Sequence, residues 1–264
     1  MLEIENLSVD LGETTVLDSV SLHARTGGWQ AIVGPNGSGK TTLLRAIAGL
    51  VNYRGAIRIW GRPWRAVDPR RAAHTVAYVP QRPVLPPAMM VTDYVLLGRT
   101  AHHRLLASDN VRDRQVVAAV LERLELGSFA DRPLGQLSGG EAQRAVLARA
   151  LVQEAPIILM DEPTSSLDLG HGQLVLELAD TLRTEHGLTV LSALHDLTLA
   201  AQFADSVVVL SDGRIQSNGA PHEVLTPQLI EEVFGASVEV FEGRNGPVIS
   251  PTRRALISSP QRVR

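Results

Sequence analysis

Residues 2–9 alternate apolar and polar side chains, the period of a strand with one face in a core. Gly12-Glu13 reads as a turn and residues 16–24 as the returning strand. Residues 29–33 are a short apolar run, the pattern of a buried strand, and residues 41–48 read as a helix ended by Gly49. Alternation resumes over residues 56–60 before a turn at Gly61-Arg62. Residues 76–79 form another short buried strand, followed at once by Pro80-Gln81.

The texture then changes. Pro83, Pro86 and Pro87 break regular structure. Residues 91–97, 111–124 and 142–152 carry helical spacing, and residues 82–151 have little strand character. From residue 156 the alternation of strand and helix returns: a strand over 156–160, a helix over 173–183, a strand over 188–193 and a helix over 198–203. Residues 206–210 and 214–217 flank Asp212-Gly213, whose positive φ angles suit a two-residue hairpin turn. Residues 221–224 and 227–234 read as short closing helices. The pattern predicts an α/β protein with a helical subdomain, about residues 82–151, inserted into its core.

Composition narrows the classes. The chain has 264 residues, 44% hydrophobic and 20% charged, ordinary for a globular protein with a real core. A net charge of -3 and a pI near 6.2 give no global basic field to attract nucleic acid. Cysteine is absent, which removes disulfides, thiolate metal sites and cysteine nucleophiles. No apolar run approaches the roughly 20 residues that span a bilayer, and the acidic, alternating start is unlike a signal peptide. A cytoplasmic protein is expected, with any membrane role exercised through a partner. After Glu242 come five arginines and no acid, either a solvated tail or a contact for an anionic membrane surface.

Three motifs carry chemistry. Gly34-Pro35-Asn36-Gly37-Ser38-Gly39-Lys40-Thr41, followed by Thr42, matches GxxxxGK[ST] between a strand and a helix. Its glycines let backbone N–H groups turn inward around an anion, and the helix N-terminus adds partial positive charge. Lys40 is expected on the β- and γ-phosphates, and the Thr41 hydroxyl on Mg²⁺. Asp161-Glu162 ends an apolar strand, placing both acids in the crevice where such folds bind ligands. There Asp161 would hold Mg²⁺ and Glu162 would orient and deprotonate an attacking water. Ser138-Gly139-Gly140-Glu141 opens a helical run, either as a second phosphate-binding helix start or simply as a capped helix. His195, near a helix start, reads alone as structural or functional.

Leu137-Ser138-Gly139-Gly140-Glu141, lying between a phosphate loop and an apolar-Asp-Glu strand, resembles the ATP-binding cassette (ABC) ATPases. Gln81 matches the family's Q-loop glutamine, Ser166-Leu167-Asp168 its D-loop and His195 its switch histidine. The resemblance covers about residues 1–251, with residues 252–264 as an arginine-containing tail. It implies a phosphate-loop ATPase core: a mixed sheet with flanking helices, an antiparallel β subdomain and the inserted helical subdomain. Two cassettes would pair head to tail as a homodimer, each ATP lying between one chain's residues 34–42 and the other's Ser138, Gly139, Gly140 and Glu141. Gln81 would sense Mg²⁺ and the attacking water, His195 would contact the γ-phosphate, and Asp168 would communicate between the sites. The implied partners are integral-membrane permease subunits and, indirectly, an extracytoplasmic substrate-binding protein. The implied place is the cytoplasmic face of the membrane, with no nucleic-acid partner.

Val95-Leu-Leu-Gly98-Arg99, the run from Glu162 to Asp168, and Leu194-His195-Asp196 to Ala201 are similar to the importer ATPases for ferric siderophores, haem and cobalamin. So is the ending from Phe241 to Pro251. Ala101 stands where that subfamily often has proline, and Ser166 where it commonly has histidine. These departures leave a zinc or manganese importer as an alternative; a soluble cassette ATPase outside transport is another. His102-His103 say nothing about a transported metal, since cargo never touches this subunit. At the position where the family usually stacks an aromatic ring on adenine stands Leu11, with Val16 as a second apolar contact.

Overall fold

The computed structural model describes residues 1–65, 67–102, 111–165 and 167–253. Ser166, His103 and residues 254–264 of the tail lie outside the described residues. No helix among the described residues is long and apolar enough to cross a membrane.

The first hairpin joins β1 (Leu2–Leu11) to β2 (Thr14–Ala24), and β3 (Trp29–Val33) runs into the phosphate loop and α1 (Lys40–Ile47). β4 (Arg54–Ile59) and β5 (Arg62–Pro63) complete a four-stranded antiparallel sheet in the order β2-β1-β4-β5. Next come α2 (Pro69–Thr75), β6 (Val76–Val79), α3 (Val91–Leu96), α4 (Val111–Arg123) and α5 (Gly139–Leu151). β7 (Ile157–Asp161), α6 (Leu169–His186), β8 (Thr189–Ala193), α7 (Leu197–Phe203), β9 (Ser206–Ser211) and β10 (Arg214–Gly219) follow. Two short helices, α8 (Pro221–Val224) and α9 (Pro227–Phe234), and a hairpin of β11 (Val238–Gly243) with β12 (Gly246–Pro251) close the described chain.

The central sheet has the order β10-β9-β3-β8-β7-β6, parallel except for the β9–β10 hairpin. β3, β7 and β8 are buried along their whole length, as parallel strands covered on both faces must be. Their alternation splits the core in two. Ile32, Leu159 and Leu191 face α1 and the antiparallel sheet, beside Leu43, Leu44 and Ile57. Ala31, Ile158, Met160 and Val190 face the opposite layer, with Val146, Leu176 and Ala200 from α5, α6 and α7. Between Val79 and Ile157 the described residues are helical or irregular, apart from one isolated bridge, Met90 with Pro133.

Three differences from the sequence reading have identifiable causes. α2 has a strong start signal, Asp68 accepting from Arg71 N with Pro69 in its first turn, but its seven residues are too few to show helical periodicity. β11 and β12 pair only with each other and are mostly half-exposed, so no buried face marks them. β12 is seated on α7, where the Thr198 hydroxyl accepts from Ile249 N at 3.0 Å, and β11 packs on α9. α5 also begins earlier than its apolar pattern, because Ser138 supplies a cap that draws Gly139 and Gly140 into the first turn.

Candidate active site

Because β3, β6, β7 and β8 are parallel, their carboxyl ends share one edge of the sheet. Each end delivers one part of the site: the phosphate loop after β3, Gln81 after β6, Asp161-Glu162 at β7 and His195 after β8.

The loop is built for close backbone approach. Gly34, Gly37 and Gly39 all have positive φ. A Cβ on Gly34 would stand 1.9 Å from the Leu210 carbonyl oxygen, so a side chain there collides with backbone. Ser38 is buried and its hydroxyl has no partner among the described residues, although it sits inside the nest. Lys40 folds back on its own loop, donating to the carbonyls of Gly34 at 2.8 Å and Pro35 at 3.0 Å. Burial pushes the Lys40 ammonium below the usual lysine range, against the pull of Glu162 and Asp161.

Thr41 opens α1 and its hydroxyl donates to Asp161 Oδ1 at 3.0 Å. The other Asp161 oxygen accepts from the Tyr78 hydroxyl at 3.1 Å. Burial raises Asp161 above the ordinary aspartate range, with the neighbouring Glu162 charge adding to it and the two hydroxyls opposing. Burial beside the same carboxylate pushes the Tyr78 phenol up to about 12, so it stays a donor. Tyr78 escaped the sequence reading, which treated residues 76–79 as plain core. The available signal was one hydroxyl in a strand that is otherwise all apolar.

Glu162 lies just past the strand end, almost fully buried, with a φ of 50° that a non-glycine residue seldom takes. Its backbone N–H bonds to the Ala193 carbonyl at 3.0 Å, which holds the turn. Gln81 Nε2 donates to Glu162 Oε2, and His195 Nε2 contacts Glu162 Oε1. One carboxylate is thus gripped from both sides by residues that sequence spacing placed 81 and 33 positions away. The phosphate loop, Thr41, Asp161, Glu162, Gln81 and His195 converge on one edge.

The remaining motif residues do not join this bond network. Ser138 Oγ accepts from Glu141 N at 3.3 Å, while Glu141 Oε2 accepts from Ser138 N at 2.7 Å, a complete capping box. That backbone bond holds the Glu141 carboxyl below its usual range. Gly140 faces Leu167, which a Cβ would meet at 3.3 Å. Asp168 caps α6, accepting from His171 N at 2.9 Å, and also binds the His171 ring. Leu11 ends β1 half-exposed, while the Val16 carbonyl stands beside Gly39, 3.1 Å from where its Cβ would be.

The donor set fits a magnesium nucleotide. The loop offers a concave backbone cradle with a spare buried hydroxyl. Thr41 and Asp161 present two hard oxygens together at its mouth, the ligand type Mg²⁺ takes.

The model of the ABC transporter family matches residues 17–165. The chain belongs to the ABC transporter family. Among its relatives, the hemin import ATP-binding protein of Streptomyces coelicolor is 42% identical over 97% of this chain and 88% of its own length. The cobalamin import ATP-binding protein of Halobacterium salinarum is 41% identical over 90% of this chain, which spans 60% of that longer relative. A dimeric ATP-binding cassette solved in a post-hydrolysis state with ADP and phosphate superposes with a TM-score of 0.77, at 30% identity, over 84% of this cassette and 99% of its own chain. This ABC cassette therefore groups with the ATP-binding subunits of importers.

Proposed function

We propose that this cassette hydrolyses ATP as the nucleotide-binding subunit of an importer for a ferric siderophore, haem or cobalamin. The observation that carries the reading is the Glu162 carboxylate, bonded by Gln81 and His195 beside the Thr41–Asp161 pair at the mouth of the loop. With nucleotide bound, the Lys40 ammonium leaves the Gly34 and Pro35 carbonyls for the phosphates, joined by the loop N–H groups and Ser38. Thr41 and Asp161 would hold Mg²⁺, with Gln81 as a further contact, and the bound ion would neutralise phosphate charge. Glu162 accepts the proton of the attacking water, and His195 donates to the γ-phosphate. Catalysis is then mainly positioning and charge stabilisation.

Two copies pair so that Ser138, Gly139, Gly140 and Glu141 of one complete the nucleotide site of the other. The capping box is compatible with this role: Ser138 keeps a free lone pair and hydroxyl proton while it caps α5. Leu11 and Val16 offer the adenine an apolar face, and Asp168 lies where the two copies meet. Residues 1–251 act as the cassette. The helical segment of residues 82–151, with Gln81 at its junction to the core, receives a cytoplasmic helix of the permease. The substrate-binding protein is reached only through that permease, and the cassette sits peripherally on the cytoplasmic face.

The test is Glu162→Gln. The amide keeps the shape and can still accept from Gln81 but cannot take a proton, so turnover should fall about 10²–10⁴-fold, the range of a general base. ATP binding should persist and an ATP-bound dimer should accumulate in size-exclusion chromatography. Hydrolysis at the parental rate would refute the assignment of Glu162.

A further inference from the structure

Residues 54–74 carry six arginines (Arg54, Arg58, Arg62, Arg65, Arg70, Arg71) and one acid, Asp68, in a chain whose net charge is -3. The positive field is therefore local. Arg54 and Arg58 are spent on Asp10 and Glu5 of the neighbouring strand, at 2.5 and 2.6 Å. Arg70 donates to the Ala101 carbonyl at 3.2 Å. Among the described residues Arg62 and Arg71 make no ion pair and are exposed, while the exposed Arg65 lies over the Tyr53 ring at 5.5 Å.

An indole stands among them. Ile59 pairs with Arg62, so Trp60-Gly61 is a two-residue turn, with φ of 50° and 72°. Asparagine, aspartate or glycine normally fills the first position of such a turn; a bulky ring there is disfavoured. Nothing in the core compensates, since Trp60 is 49% exposed. Behind it, Trp60, Arg62, Pro63, Trp64, Val67 and Arg71 surround a cleft of about 360 Å³. An exposed indole beside unpaired guanidinium groups suits a boundary that is apolar on one side and anionic on the other. Guanidinium forks match phosphate, and tryptophan favours the headgroup level of a bilayer. The patch also adjoins the face assigned to the permease: α2 carries Arg70 and Arg71, packs on residues 97–102 and feeds β6, whose end bears Gln81.

We propose that Trp60, Arg62 and Arg71 form a docking surface for anionic phospholipid headgroups, holding the cassette against the bilayer beside the permease. This rests on the reading that the protein works under a membrane, but the contact is made by the cassette itself. Each free arginine should contribute about fivefold to partitioning, the equivalent of ~1 kcal/mol per cation near an anionic surface. The interaction should weaken as salt rises.

The full chain, without permease, should cosediment with vesicles of phosphatidylcholine and phosphatidylglycerol but not with phosphatidylcholine alone. Arg62→Glu with Arg71→Glu should lose this binding by well over tenfold while melting and hydrolysing ATP as the parent does. Trp29 and Trp64 are buried, so an emission shift on vesicle addition reports Trp60 and should vanish in Trp60→Phe. Equal binding to neutral vesicles, or equal binding by the double variant, would overturn the proposal. So would inorganic phosphate at millimolar concentration abolishing vesicle binding, which would make the cleft a site for a soluble anion. Tighter binding to a DNA duplex than to vesicles would assign the patch to nucleic acid instead. None of these outcomes bears on Glu162, whose test reads hydrolysis.

Discussion

Leu11→Tyr isolates the role of the base contact. Leu11 ends β1 opposite Thr14, and its side chain is 48% exposed, so a larger ring meets solvent rather than core. The hairpin end is held independently: Arg54 and Thr15 both bond Asp10, at 2.5 and 2.8 Å. Its other strand is fixed against the loop, because a Cβ on Gly39 would touch Leu17 Cδ2 at 2.6 Å. The substitution therefore leaves Lys40, Thr41 and Glu162 in place. What it adds is ring-on-ring stacking, worth about 1 kcal/mol beyond area burial. At 1.4 kcal/mol per factor of ten, that is roughly fivefold in ATP affinity. Titration with a fluorescent ATP analogue should show this gain, and KM should fall while kcat at saturation stays constant. The parent should discriminate weakly between ATP and GTP, since many groups read phosphate and few read the base. Unchanged or weaker ATP affinity in Leu11→Tyr would refute the placement of adenine against this hairpin.

Arg99 is 3% exposed and binds buried Asp113 at 2.8 Å, the Val152 carbonyl at 2.7 Å and Glu154 at 2.6 Å, tying α4 to the end of α5. Arg99→Met should cost about 3–5 kcal/mol, the range for removing one partner of a buried pair, read as a lower midpoint in urea unfolding. Asp161 has a raised folded pKa, so its protonated form is favoured on folding and its charge opposes folding at neutral pH. Asp161→Asn should therefore raise the melting temperature of the nucleotide-free protein at pH 7 while abolishing hydrolysis. That gain should fade as pH falls below the raised value and the parent's carboxyl takes up its proton. Gly34→Ala should abolish ATP binding by equilibrium titration, because its methyl would fall 1.9 Å from the Leu210 carbonyl oxygen.

Local chemistry was legible in the chain because its causes lie within a few residues. The phosphate loop, the Ser138 cap and the Asp212-Gly213 turn each depend on glycine freedom or a side chain reaching three positions along. Strand runs such as residues 29–33 announced themselves because burial on both faces admits mainly apolar side chains. α2 carried its cap and proline in plain view, but seven residues span fewer than two full helical turns, too few for a periodic signal. β11 and β12 gave no such signal, since β12 is covered by α7 and α8 and β11 by α9 rather than by a sheet core. Tertiary structure alone decided the sheet order, and with it the meeting of Gln81, Glu162 and His195. It alone put the Tyr78 hydroxyl on Asp161, Arg99 between Asp113 and Glu154, and Trp60 among unpaired arginines. These contacts join residues far apart in sequence, where no local propensity acts. They form because parallel strands bring their carboxyl ends to one edge, where burial favours polar groups that find a partner.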